Sequence, residues 1–142
     1  MALALASCAA TPPPPAPLPA PDARVASYER YLAAWSAVPI DERLHFLHES
    51  VTPDVVFTNP TRTRTGIEDV AEHLSDFQRR VPGGSFRVVS MLGWEDHALV
   101  RWQLVDARGN AGLAGHDDVA YDQAHRIKSI VMFTDIPKER LK

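Results

Sequence analysis

The sequence predicts an α+β fold in which three N-terminal helices pack on a curved antiparallel sheet and form a cone with an internal pocket. Two observations carry this prediction. Apolar residues recur at helical spacing through residues 23–81 and alternate at strand spacing through residues 85–135. Helices that precede a run of adjacent strands, instead of alternating with them, are typical of an α+β domain. A length of 142 residues with 45% hydrophobic and 23% charged residues suits one globular domain.

The first 22 residues form a separate Ala/Pro-rich leader. Seven of the twelve prolines lie between Pro12 and Pro21, a composition that predicts an extended, flexible tether. Before it, Leu5-Ala6-Ser7-Cys8 resembles the lipid-attachment motif of bacterial lipoproteins, which would anchor the chain to a membrane through Cys8. Only seven residues precede Cys8 and none is basic, so a cytoplasmic location is favoured unless the true start lies upstream.

Two helices are predicted at the start of the domain. Residues 23–37 place apolar side chains three and four positions apart, and Pro39 ends this helix. Asp41 can cap a second helix, which Pro53 stops.

A short strand and a third helix follow. Val55–Thr58 is an apolar strand that ends at the turn dipeptide Asn59-Pro60. Thr65–Glu68 has the pattern of a capping box, and the third helix that it opens ends at Pro82-Gly83-Gly84.

From Phe86 onward the apolar period is two, and turn residues divide the segment into four strands, the third of them Ala111–Tyr121. Both faces of these strands carry apolar residues, so the sheet needs a cover on each side. The helices would cover one face and a second copy of the chain the other. The sequence therefore predicts a homodimer through the exposed sheet face.

Charge and motifs exclude several classes of function. A net charge of −3 argues against nucleic-acid binding, and the pairs Arg62/Arg64 and Arg79/Arg80 are interpreted as solvated surface. His45 and His48 lie one helical turn apart without a further cluster, so no metal site is expected. No cofactor-binding motif is present, and the predicted site is cofactor-free.

The order of elements resembles the nuclear transport factor 2-like superfamily and, within it, the SnoaL-like branch. The matching segments are Arg30–Trp35, Thr52–Pro60, Thr65-Gly66 and Arg126-Ile127. The resemblance covers residues 23–137, implies a cystatin-like α+β roll, and leaves residues 138–142 as a tail. The superfamily includes ketosteroid isomerase, polyketide cyclases, dehydratases and non-catalytic modules, so the fold does not decide the function.

The resemblance to ketosteroid isomerase implies positions for a polar site. Tyr31 matches the oxyanion-hole tyrosine of the first helix and Asp118 the acidic hydrogen-bond donor, so both would point at one carbonyl oxygen. The general base of that enzyme is a carboxylate in the turn where this chain has Asn59. Because an amide cannot take a proton, Asn59 is expected to orient a ligand or simply to form the turn.

His116 is the predicted replacement acid/base. The pKa of histidine is ordinarily near neutrality, and strand alternation places His116 and Asp118 on one face, with Asp117 on the other. The alternative is an outward face on which His116 and Asp118 meet solvent. Aromatic side chains are expected to form a ligand wall or simply the core, namely Tyr28, Trp35, Phe57, Trp102 and Phe133.

Two functions remain open from the sequence. The first is binding of a small apolar carbonyl- or hydroxyl-containing molecule, extended by cofactor-free acid/base chemistry of the isomerase, cyclase or dehydratase type. The second is a non-catalytic binding or dimerisation module. A pocket of roughly 300 Å³ or more with buried polar groups favours the first, and an interior filled by Trp35 and Trp102 favours the second.

Overall fold

The computed structural model describes residues 7–136 and 140–141. The first six residues of the leader and the expected boundary at residues 137/138 lie outside these ranges. Residues 7–22 are exposed and form neither helix nor strand.

The helices are α1 (Ala23–Ala33), α2 (Ile40–Ser50) and α3 (Ile67–Arg80). The strands are β1 (Val51–Thr58), β2 (Thr63–Thr65), β3 (Ser85–Trp94), β4 (His97–Val105), β5 (Ala111–Tyr121) and β6 (Ile127–Thr134).

The helix starts differ from the sequence prediction at α2 and α3. At α2 the predicted cap Asp41 is wrong, because the helix begins at Ile40 after Pro39, no side chain caps it, and Asp41 lies within its first turn. Asp22 caps α1, because its carboxylate accepts a hydrogen bond from the Arg24 backbone N–H at 2.9 Å. At α3 the predicted capping box is wrong: the cap residue is Gly66, with φ of 89° and no side-chain cap bond. The Asp69 carboxylate instead accepts from the backbone N–H of Thr65 at 3.2 Å. A left-handed residue at this junction explains why glycine stands there.

The strands form one six-stranded sheet in the order β2-β1-β6-β5-β4-β3. All neighbours are antiparallel except β1 and β6, which run parallel. Register shifts occur between Val88 and Ser90 in β3 and between Gln103 and Val105 in β4. Bulges of this kind increase local twist and bend a strand. The α+β fold class, with three helices on a curved, mostly antiparallel sheet, is confirmed.

The core lies between the helices and the concave face of the sheet. Its centre is aromatic, because Trp35 packs against Phe57, Phe77 and Phe86 with ring centroids 4.9–6.0 Å apart. Trp102 reaches the same layer by lying across Gly115, where an added Cβ would be 2.4 Å from the indole. Glycine at this position therefore makes room for the buried tryptophan of the sheet.

The convex face of the sheet is open and apolar. Leu92, Trp94, Leu99 and Phe133 are exposed there, Trp94 to 78%.

Within the described ranges, no helix combines the length and apolar character that a membrane crossing requires.

Candidate ligand site

The polar centre of the fold is Asp117 on β5. Gly115, Asp117, Val119 and Tyr121 share the face that meets the helices, and Asp117 is only 1% exposed. Val119 and Tyr121 supply most of the apolar surface of β5, and burying them turns this face inward. The expectation that Asp118 occupies the interior is therefore wrong by one residue, since a shift of one position in a strand moves a side chain to the opposite face.

Asp117 is held by two hydrogen bonds from neighbouring elements. The Tyr28 hydroxyl of α1 donates to one carboxylate oxygen at 2.8 Å, and the Trp102 indole N–H of β4 donates to the other at 2.9 Å. Burial raises the pKa of Asp117 to about 7, although both hydrogen bonds act in the opposite direction. The carboxyl group can therefore carry or release a proton near neutral pH.

Tyr31 brings a second polar group to the same place. Its side chain is fully buried, and its hydroxyl has no hydrogen-bond partner among the described residues. Burial and the neighbouring Asp117 charge raise the pKa of Tyr31 well above its ordinary value, although the nearby Trp35 indole acts in the opposite direction, so the hydroxyl stays protonated and free to donate. Leaving a buried hydroxyl unpaired costs about 1–3 kcal/mol. Tyr31 is thus an unused donor next to a protonatable carboxyl group.

These groups border one small space, called here the inner cavity. It is a narrow gap that does not admit even a water molecule. The lining residues are Tyr28, Tyr31, Leu32, Trp35, Phe86, Trp102, Asp117 and Met132. Leu32 and Phe86 also line a surface groove of about 500 Å³ between α1 and β3. These two side chains therefore separate the inner cavity from solvent.

The structure divides the predicted site residues into three groups. Tyr28, Tyr31, Trp35, Phe57 and Trp102 all lie in the interior, where they are buried. Trp35 and Trp102 fill the centre of the cone, so a ready-made interior pocket of 300 Å³ is not present among the described residues.

The second group lies on the convex face. His116 is half-buried, and Asp118 and Phe133 are exposed, all three pointing away from Tyr31. Asp118 and Phe133 line an outer groove of about 410 Å³ together with Leu92, Gly93, Trp94, His97, Ala98 and Leu99. The sequence analysis placed His116, Asp118 and Phe133 in one pocket with Tyr31. This placement is wrong, because the three side chains belong to the convex face of the sheet and Tyr31 lies on the concave side.

Asn59 is the third case. Its side-chain oxygen accepts hydrogen bonds from Thr61 (backbone N–H at 3.1 Å, hydroxyl at 2.7 Å) and from the Arg62 N–H at 3.2 Å. This is the turn-forming role that the sequence left open. Asn59 also borders a cleft of about 390 Å³, called here the basic cleft, whose other lining residues are Thr61, Arg64, His73, Asp76, Arg79 and Arg80.

Sequence reasoning missed Asp117, Arg64 and His73. Alternation on β5 offered a signal for Asp117, because its face carries Val119 and Tyr121. Arg64 was interpreted as solvated surface, and this is wrong, since it is 8% exposed. No local pattern distinguishes Arg64 from Arg62, because its burial depends on packing against Phe57 and α3.

Within the described residues, no group of three or more His, Cys, Asp or Glu side chains could hold a metal ion.

The fold and this interior define a class, namely an α+β roll with a polar group at the bottom of an apolar cone. Within that class, a model of the SnoaL-like domain matches residues 28–128, and the chain belongs to this family. Among curated proteins, none matches the sequence at a significant level.

Three solved structures with similar folds were compared with the chain. A candidate isomerase of the SnoaL-like family from Agrobacterium tumefaciens is 22% identical with a TM-score of 0.73, over 80% of this chain and 98% of that one. A candidate SnoaL-like polyketide cyclase from Jannaschia sp. is 17% identical with a TM-score of 0.65, over 80% and 85%. TerC, co-crystallised with polyporic acid, is 14% identical with a TM-score of 0.64, over 80% and 92%. At these identities the likeness establishes the fold.

Proposed function

We propose that this SnoaL-like protein binds a small, largely apolar molecule in the inner cavity through a carbonyl or hydroxyl oxygen. The observation that carries the proposal is the buried, unpaired Tyr31 hydroxyl beside Asp117. A ligand oxygen placed between them would accept a hydrogen bond from Tyr31 and from protonated Asp117, and the cost of the unpaired hydroxyl would disappear.

Entry requires a movement of the cavity wall, because the inner cavity does not admit even a water molecule. Phe86 is half-buried and lines both the inner cavity and the α1–β3 groove. Rotation of this ring would join the two spaces. The ligand therefore enters between α1 and β3, with Phe86 as the displaced side chain.

Acid/base chemistry is a natural extension of this binding. Two donors aimed at one carbonyl oxygen stabilise the negative charge that develops when the neighbouring carbon loses a proton. With a pKa of about 7, Asp117 can protonate an oxygen or take its proton without a cofactor. The proton-moving role expected of His116 and Asp118 passes to Asp117 in this proposal. The names of the structural neighbours, an isomerase, a polyketide cyclase and a protein crystallised with polyporic acid, support carbonyl-containing ligands.

The proposal is tested by a thermal-shift screen of uncharged planar ketones and phenols. A compound at about 100 times its Kd should stabilise the protein by roughly 2.7 kcal/mol, a shift of several degrees. Tyr31→Phe and Asp117→Ala should each weaken binding by about tenfold, since each removes one hydrogen-bond donor worth roughly 1–1.5 kcal/mol. Asp118→Ala is the matched control and should leave the Kd unchanged. Equal effects of Asp117→Ala and Asp118→Ala would refute the proposed site.

A second pair of variants tests the route of entry. Phe86→Ala should speed association of the same compound, because it opens the wall between groove and cavity. Val88→Ala changes the groove alone and should have little effect, since Val88 does not border the inner cavity. Stopped-flow fluorescence of the interior tryptophans measures both rates. Identical association rates for the two variants would contradict entry past Phe86.

The filled interior favours a second candidate, a non-catalytic module in which Trp35 and Trp102 simply complete the core. That function predicts no thermal shift with any compound, for wild type and for Phe86→Ala alike.

A further inference from the structure

The basic cleft lies on the other side of the aromatic layer from the inner cavity. Trp35 lines the inner cavity and packs at 5.4 Å on the ring of His73, which lines the cleft. The cleft is formed by the β1–β2 turn, β2 and the C-terminal half of α3, and its volume is about 390 Å³. It is large enough for a small organic molecule.

Arg64 is the central feature of this cleft. Its side chain extends from β2, its guanidinium carbon lies 6.0 Å from the centre of the Phe57 ring, and the residue is 8% exposed. Nη1 donates to the Asn59 side-chain oxygen at 3.3 Å and to the Arg62 carbonyl at 3.4 Å, both long contacts with neutral acceptors. The buried Nε has no hydrogen-bond partner among the described residues.

A guanidinium group in this position lacks what buried arginines ordinarily have. Among the residues that the structure describes, no carboxylate forms an ion pair with Arg64, whereas the neighbouring Arg62 is paired with Asp69 at 2.9 Å. Arginine keeps its charge, and a buried charge without a partner is costly. An anion delivered from the open side of the cleft would remove that cost.

The other lining side chains make the cleft positive. Arg79 pairs with Asp76, whereas Arg80 donates to the Asp76 backbone carbonyl at 3.4 Å and forms no ion pair within the described part of the chain. Burial, together with the charges of Arg64 and Arg80, lowers the pKa of His73 to about 4, so this ring is neutral at pH 7. Three arginines and one aspartate thus face the same space.

We propose that the basic cleft is a binding site for the carboxylate of a small organic acid, held by Arg64. A guanidinium presents paired N–H donors in one plane, which match the two oxygens of a carboxylate, and the carboxylate would meet the part of the Arg64 guanidinium that borders the cleft. The neutral His73 ring borders the same space and can donate a further hydrogen bond. Arg80 adds attraction at the rim. The site is separate from the inner cavity and stands without the function proposed there.

The test uses benzoate as probe and benzamide as its uncharged counterpart. Benzoate should bind saturably by calorimetry, and benzamide at least tenfold more weakly. Arg64→Gln should weaken benzoate binding by tenfold or more, and Arg80→Gln, an exposed position that keeps the protein folded, by a few-fold. Arg108→Gln, on the exposed β4–β5 turn, is the matched control and should change the Kd less than twofold.

An NMR titration of the His73 ring gives a second measurement, the pKa of His73, which benzoate would not change if Arg64 had only a structural role. Bound benzoate should raise the pKa of His73, because it adds a negative charge beside the ring. Benzamide binding as well as benzoate, or benzoate binding unaffected by both Arg64→Gln and Arg80→Gln, would overturn the proposal. Tighter binding of inorganic phosphate than of benzoate would overturn the assignment to a carboxylate. Tyr31→Phe and Asp117→Asn should leave benzoate binding intact, so failure of one site is distinguishable from failure of the other.

Discussion

Asp117 and Asp118 are neighbours in the chain with opposite surroundings. Asp117 is enclosed by Tyr28, Tyr31 and Trp102, whereas Asp118 lies on the convex face beside Phe133. Burial raises the pKa of Asp117, because it disfavours the charged form of the carboxyl group. The chemistry available to the interior therefore depends on which of two identical side chains points inward.

This difference predicts a specific pH dependence of stability. The native pKa of Asp117 is about 7, above its ordinary value of 3.8, so the native state binds the proton more tightly than the unfolded chain does. Its contribution to stability is fully present below about pH 4 and is lost as the pH rises through 7. Asp117→Asn should accordingly gain several degrees of Tm relative to wild type between pH 5 and pH 8.5, measured by thermal denaturation.

The comparison with wild type is needed because His73 changes the stability of the protein with pH in the opposite direction. Its native pKa of about 4 lies below the ordinary 6.5, so its contribution to stability grows as the pH rises over that interval. Both Asp117→Asn and wild type retain His73, and its effect cancels in their difference. Asp118→Asn should show no such pH-dependent gain. A difference between Asp117→Asn and wild type that does not change with pH would contradict a raised pKa at this site.

At the scale of elements, Arg43 holds the three helices together. From α2 its Nε donates to the Ala34 carbonyl at the end of α1 at 2.8 Å, and Nη2 donates to the Ser36 carbonyl at 2.9 Å. Nη1 donates to the Ser75 hydroxyl of α3 at 2.8 Å. One planar side chain thus sets the positions of the helices that carry Tyr31 and His73.

Arg43→Lys should destabilise the protein by about 3 kcal/mol, since an ammonium group cannot reach all three acceptors and hydrogen bonds of charged groups are worth roughly 1.5–3 kcal/mol each. Chemical denaturation measures the free energy of unfolding. Arg30→Lys is the matched control, because the Arg30–Glu49 pair is exposed to solvent, which screens it, and it should contribute little to stability. Similar losses in the two variants would show that Arg43 is not a special contact between helices.

At the scale of the whole molecule, the convex face of the sheet remains uncovered. Trp94 is 78% exposed and Phe133 53% exposed, beside Leu92 and Leu99. Contiguous apolar patches of this kind are typical of interfaces between subunits. We therefore keep the homodimer as a proposal, with this face as the shared surface.

Trp94→Glu should shift the protein from dimer to monomer at micromolar concentration, because a dimer would bury the new charge twice around its symmetry axis. Light scattering gives the mass directly. Leu18→Glu, which adds the same charge to the exposed leader, should leave the mass unchanged. A monomeric wild type at these concentrations would refute the proposed dimer.

The sequence predicted the order of elements and most of their faces because these depend on local periodicity. The spacing of two between Ala98, Val100 and Trp102 indicates one shared face of β4, and all three are buried. The β5 strand was expected from Ala111 to Tyr121, and the structure has the same bounds. The start of α3 was less predictable, since Thr65–Glu68 has the pattern of a capping box whereas Asp69 forms the observed bond.

The sequence by itself thus determined the fold class and the resemblance to the SnoaL-like family. Spacing along the chain specifies which residues share a face. Tertiary structure decided which face of β5 meets the helices, and with it the choice of Asp117 over Asp118. It also decided that Trp35 and Trp102 fill the interior and that Arg64 is buried against Phe57. The physical reason is that burial, and the pKa shifts it causes, depend on contacts between residues far apart in the chain.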